Sequence, residues 1–271
     1  MHSILNRSTT LRINMSEQKN SLTNLLSARE LLDEKIAAFK KNRPMYVVEH
    51  PSPGVIHLVF THQKDLSFGM CRLEEFYEGP HAHIKGQYFS LETFFDTYCD
   101  DSGDLAYYYS WDGFNVPRHA IDKFEELFTP HGLTRREQLI LGEVKKHDAQ
   151  YLIATSISTI ESTVDHEVAH ALWATNPEYK QKCQEALKSM TNVAKKYFTR
   201  LLLSEGYPSD PAIMEDEHHA YIATASVRYV KRIFGELGKV HVDSVFKTRQ
   251  LLKEALPENV KQPNPDNILS L

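Results

Sequence analysis

The chain has 271 residues, of which 41% are hydrophobic and 25% charged, with a formal net charge of −5. That profile fits a globular protein with a substantial core, and its interspersed charges give no positive field for holding a phosphate backbone. Nucleic acid is therefore not an expected partner, and no apolar run approaches the roughly 20 residues that span a bilayer.

Cys71, Cys99 and Cys183 are odd in number, far apart and free of any CxxC pair. This predicts reduced thiols and a cytoplasmic setting, although composition is blind to an exported protein with a non-cleaved signal. Residues 1–20 carry Arg7, Arg12 and several hydroxyls but no apolar core, and read as a flexible tail. Residues 21–271 are expected to form one domain, with a mixed α/β lobe over 21–155 and a helical lobe over 156–271.

In chain order, apolar residues at helical spacing from Leu22 to Phe39 predict an amphipathic helix that Pro44 ends. Met45–Glu49 and Val55–Thr61 are β-branched and aromatic-rich, and read as strands joined through Pro51-Ser52-Pro53-Gly54. Phe68–Leu73 reads as a third strand. His81 and His83 alternate as strand ligands would, but Gly79-Pro80 and Gly86 make their segment a surface loop.

Ser90 is placed to cap a short helix through Phe94 and Phe95, and Asp100–Gly103 is a polar turn. The aromatic stretch Tyr107–Phe114 is expected in the core. Pro117 opens a helix through Phe128, and Thr134 with Glu137 forms the capping box of another that reaches Lys146. Tyr151–Thr155 reads as a strand, and from Thr163 onward the pattern is helical. The fold class is α+β, a small sheet in front and helices behind.

The chemistry sits in His166-Glu167-Val168-Ala169-His170. Residues four apart lie on one helix face, so both imidazoles reach one ion, and a hydrolytic zinc site has three protein ligands plus an open position for water. Glu167, on the flank of the histidine line, suits the base that activates that water. Ser162 and Asp165 are candidate caps, Val164, Val168, Ala171 and Leu172 a buried face, and Asn176-Pro177 a stop.

Met214–Tyr221, opened by Asp210-Pro211, is the later stretch dense in donors. If Ile213 and Ala220 pack inward, Glu217 points inward with them, which favours it over Glu215, His218 and His219 as third ligand. Asp216 is a candidate to orient a ligand histidine, and Tyr221, His218 or His219 to donate to a developing oxyanion.

Over Tyr151–Tyr221 the sequence resembles the zincin metallopeptidases, and more narrowly the gluzincin type, in which HExxH is completed by a glutamate on a later helix. The resemblance implies a zincin-like fold, one Zn2+ per chain, a peptide or other amide substrate, and an edge strand for extended substrate at Tyr151–Thr155. Two departures stand out: Trp173 stands at the glycine of HExxHxxGxxH with no histidine three residues later, and Tyr221 stands where an aspartate would follow Glu217. A narrower likeness is to poorly characterised bacterial proteins that share Ala171-Leu172, Asn176–Tyr179 and Asp216–Tyr221. The expected function is zinc-dependent peptide or amide hydrolysis; the alternative is a zinc-stabilised binding or regulatory protein without turnover.

An apolar stripe from Tyr179 to Leu201 suggests one helix over Pro177–Leu203, about 40 Å long. Such a helix would carry the chain too far for Glu217 to return to His170. A break at Ser189–Asn192 is therefore predicted, with the two halves forming an antiparallel pair.

Overall fold

The computed structural model describes residues 46–99, 107, 111–159, 161–207 and 209–257. The predicted tail over 1–20, the helix over Leu22–Phe39 and the turn at Asp100–Gly103 lie outside the described residues. These form a mixed α+β fold with a four-stranded sheet and ten helices.

β1 (Tyr46–Ser52) and β2 (Val55–Phe60) form the expected antiparallel hairpin, with Gly54 at φ 75° after Pro53. Phe68–Leu73 is not a strand: it lies inside helix α1 (Gln63–Tyr77), where every residue from Leu66 to Phe76 is buried. A helix buried on all sides loses the polar face that would reveal its period, so a short apolar run in it resembles a strand. Ser90 caps α2 (Leu91–Tyr98) by accepting from the Thr93 amide. Among the aromatics between them and the next helix, Tyr107 and Phe114 are buried and Trp111 is exposed.

β3 (Gly113–Pro117) leads into α3 (Arg118–Phe128), then α4 (Arg135–Lys146) and β4 (Tyr151–Ser156). The strands lie in the order β1-β2-β4-β3, with β2 and β4 parallel and β3 antiparallel to β4. β4 is thus an inner strand, paired on both sides and buried at all six residues, not the edge that the zincin resemblance implied. Its nearly unbroken apolar run is what a strand covered on both faces requires. The edge next to β4 is β3.

Alternate residues send the two faces of this sheet into different cores. Ile56, Leu58, Leu152, Phe114 and Val116 pack with α1, α3 and α4, whereas Val55, Tyr151 and Ile153 pack with the helical half. That half comprises α5 (Glu161–Thr175), α6 (Pro177–Lys188), α7 (Asn192–Ser204), α8 (Pro211–Thr224), α9 (Val227–Phe234) and α10 (Lys239–Ala255). α5 starts ahead of Ser162 and Asp165, so neither is its cap; it ends before Asn176, which caps α6 through the Tyr179 amide.

The break at Ser189–Asn192 is present, with Thr191 capping α7 through the Ala194 amide. The halves do not pair chiefly with each other, because α10 packs against both. It takes the polar residues of the joint as partners: Ser189 Oγ lies 2.9 Å from Thr248 Oγ1, and Thr191 Oγ1 lies 3.0 Å from His241 Nδ1. Arg249 of α10 also donates to the carbonyls of Ala223 and Ala225, satisfying the end of α8. No helix among the described residues is long and apolar enough to cross a membrane.

The predicted capping box is present and has a further partner. Thr134 Oγ1 accepts from the Glu137 amide, Glu137 Oε2 accepts from the Thr134 amide, and the same carboxylate accepts two bonds of 2.7 and 2.6 Å from Arg72. Both charged side chains are only 2% exposed. Glu137→Ala strands a buried guanidinium and is expected to cost about 3–5 kcal/mol, against about 1 kcal/mol for Thr134→Ala. Urea unfolding of the two variants checks the ratio; equal losses would show that the cap, not the ion pair, dominates.

Candidate metal centre

Helix α5 carries His166 and His170 one turn apart on one face, and α8 packs along it. Asp210 caps α8 by accepting from the Ala212 and Ile213 amides, with Pro211 at the first helical position. This opening sets the helical phase that turns Glu217 towards α5.

His166 Nε2 and His170 Nε2 are 3.0 Å apart, and Glu217 lies 3.7 Å from the first and 3.6 Å from the second. Among the described residues these three side chains form the group able to hold a metal ion. One donor atom from each of the three lies within 4.8 Å of the other two, with Glu217 turning Oε2 towards His166 and Oε1 towards His170. The two glutamate distances are too long for hydrogen bonds. Glu217 Oε2 is buried without a hydrogen-bond partner among the described residues, which is costly for a carboxylate unless a cation meets it. The residues present could hold a metal ion.

Asp216 takes the orienting role expected of it. Its Oδ1 accepts from His170 Nδ1 at 2.9 Å, which fixes the tautomer and leaves His170 Nε2 towards His166 and Glu217. The same oxygen lies 3.1 Å from His219 Nδ1, and His219 Nε2 lies 3.1 Å from the Tyr179 hydroxyl. His219 also stacks on Trp173. Both its nitrogens are engaged, so it is not the free oxyanion donor considered from sequence. His218 is buried towards α7, 3.1 Å from Thr199 Oγ1 and against Phe198, and is not part of the cluster either. Glu215 accepts from Gln184 and does not join the metal group.

Tyr221 lies edge-on to His166, ring centres 4.5 Å apart, and its hydroxyl is 2.9 Å from that of Tyr207. Tyr207 was not singled out from sequence, because a tyrosine ahead of a proline-opened helix carries no motif. Glu167 is buried beside the histidines, and Asn115 of β3 donates to its Oε2 at 2.6 Å. Asn115 in turn accepts from the Tyr151 hydroxyl at 2.6 Å. The alternation of Gly113 and Asn115 on one face of β3 was the available signal for this contact. His81 and His83 are near each other in a loop, ring centres 5.6 Å apart, but belong to no metal-ligand group among the described residues.

The electrostatics favour a cation. Burial pushes the Glu217 carboxyl up to about 7 against the pull of His170, with Asp216, Glu167 and Glu78 raising it further. Burial also raises Glu167, opposed by His170 and the Asn115 hydrogen bond. Burial and the neighbouring His170 keep the His166 imidazole neutral, the state that binds metal. Burial works against charge on His170, but Glu217 and Asp216 outweigh it and raise its pKa to about 10. No protein-family model, curated protein or solved structure matches the chain, so the functional argument rests on this geometry.

Proposed function

We propose that the chain is a zinc-dependent hydrolase of peptide or other amide bonds, zincin-like in its catalytic plan, with His166, His170 and Glu217 holding one Zn2+. The supporting observation is the meeting of three donors from two helices, His170 buried and His166 and Glu217 half-buried, within 4.8 Å of one another, with the Glu167 carboxylate close enough to His170 to feel its charge. Zinc bound there would polarise the scissile carbonyl and acidify a water in its open position.

The chain's own groups supply the rest. Glu167 accepts a proton as the water oxygen bonds to the carbonyl carbon, and returns it to the nitrogen as the carbon–nitrogen bond breaks. In the Tyr207–Tyr221 pair one hydroxyl donates to the other, which leaves one O–H proton of the pair uncommitted. That proton is the candidate donor to the oxyanion. Asp216 holds His170 in the tautomer that binds metal.

Metal analysis of protein purified without added metal is expected to give one zinc per chain. His166→Ala and His170→Ala lose it, and Glu217→Ala weakens it far more than Glu215→Ala. Equal zinc content in all variants would refute the site. Glu167→Gln should retain zinc and lose about 10²–10⁴-fold in cleavage of a peptide library. Unchanged cleavage removes Glu167 as base, and no cleavage by wild type under any condition favours the zinc-stabilised binding protein.

Zinc affinity should rise with pH. In the metal-free protein His170 stays protonated up to about 10 and Glu217 up to about 7, so binding must displace these protons. The affinity should climb about tenfold per pH unit from about 7 to about 10, and more steeply below about 7. Competition with a chromophoric chelator measures this slope; a flat profile would mean that His170 carries no proton to displace.

A further inference from the structure

Two alternate residues of β3 meet the carboxylate of Glu167, and each does so in a different way. At Gly113 an added Cβ would lie 2.9 Å from Glu167 Oε1 and 3.0 Å from its Cγ, so only glycine leaves room for the side chain. At Asn115 the amide nitrogen donates to Glu167 Oε2 at 2.6 Å. Glu167 Oε1 has no hydrogen-bond partner among the described residues.

An asparagine amide can face a carboxylate with its nitrogen or, after a flip, with its oxygen. The ionised carboxylate, which only accepts, takes the nitrogen, and Tyr151 takes the oxygen. Its phenol stands 2.6 Å from Asn115 Oδ1, and a phenol that donates there holds the amide so that the nitrogen faces Glu167. A flip would set the amide oxygen against an ionised carboxylate oxygen, two acceptors with no proton between them, and would turn the Tyr151 hydroxyl from donor to acceptor. Tyr151 comes from β4, where Ile153, two residues on, is the partner of Asn115 in the ladder. The sheet register thus brings phenol, amide and carboxylate together.

We propose that Asn115 is a positioning residue for Glu167, and that Tyr151 fixes Asn115, so that Oε2 is committed to the strand and Oε1 alone carries the proton during hydrolysis. This rests on Glu167 being the base. With one oxygen anchored by Asn115, turning the carboxylate to present its two oxygens in turn would break that hydrogen bond. Preorganisation of this kind is worth more at a base than an equal bond elsewhere, because small displacements of a proton acceptor cost large factors in rate.

The test uses full-length protein loaded with Co2+ in place of zinc, whose visible absorption reports ionisation at the metal's open position. The spectrum is followed from about pH 5 to about pH 9, and the midpoint compared between variants. Glu167→Gln should shift the midpoint. Asn115→Ala and Tyr151→Phe should shift it in the same direction by at least about half a pH unit, while each binds one cobalt per chain as wild type does. Asn115→Asp, which keeps the size and loses the donor, should act at least as strongly as Asn115→Ala. Tyr151→Phe removes one oxygen and keeps the packed ring, so the test stands even if Asn115→Ala fails to fold. If Glu167→Gln shifts the midpoint and Asn115→Ala and Tyr151→Phe overlay wild type, Asn115 merely ties β3 to α5 and the proposal fails alone. If Glu167→Gln leaves the midpoint unchanged, or wild type binds no cobalt, the hydrolase reading fails and takes this proposal with it.

Discussion

Asp216 Oδ1 accepts hydrogen bonds from two imidazoles on two helices, His170 of α5 and His219 of its own α8, and the arrangement of the centre follows from that shared oxygen. It locks α8 in rotation and in height against α5, which sets Glu217, the next residue, beside the two Nε2 atoms. It also commits His170 Nδ1, so that the ring's other nitrogen faces the cluster. Burial disfavours a charged carboxylate here, yet the two histidines hold Asp216 well below its usual range and keep it ionised. The anchor is paid for by His219, whose other nitrogen meets Tyr179 and whose face lies on Trp173.

The second constraint comes from the sheet. β3 is antiparallel to β4 and lies at the edge of the sheet, and α5 packs against both strands. Glu167 therefore sits between a helix that supplies its neighbours in the cluster and a strand that supplies its hydrogen bond. Several buried carboxylates raise one another there, and only partial compensation comes from His170. A divalent cation at such a centre would favour the ionised carboxylates that burial otherwise opposes.

Much of this was legible in the sequence because it depends on short spacings. The i, i+4 histidines, the caps at Ser90, Thr134 and Asp210, and the phase that points Glu217 inward are each set by four to eight residues. The break at Ser189–Asn192 was legible for a different reason: chain length alone forbade an unbroken helix if Glu217 was to return. What could not be read depends on pairing between distant segments. α1 resembled a strand because its surroundings, not its own pattern, bury it on every side. β4 was taken as an edge although its apolar run carried the signature of a central strand. Asn115 carries no motif, and its meeting with Glu167 is decided by which strand borders β4.

α10 takes up the polar joint between α6 and α7 and, through Arg249, closes the carbonyl end of the helix that carries Glu217. The last described helix of the chain thus supports the segment that completes the donor set. On the ribosome the sheet and α5 emerge well before it, so His166 and His170 are made while their third partner still lacks its support. A nascent or truncated chain that ends before Lys239 would therefore present the histidine pair without the helix that packs against the Glu217 segment.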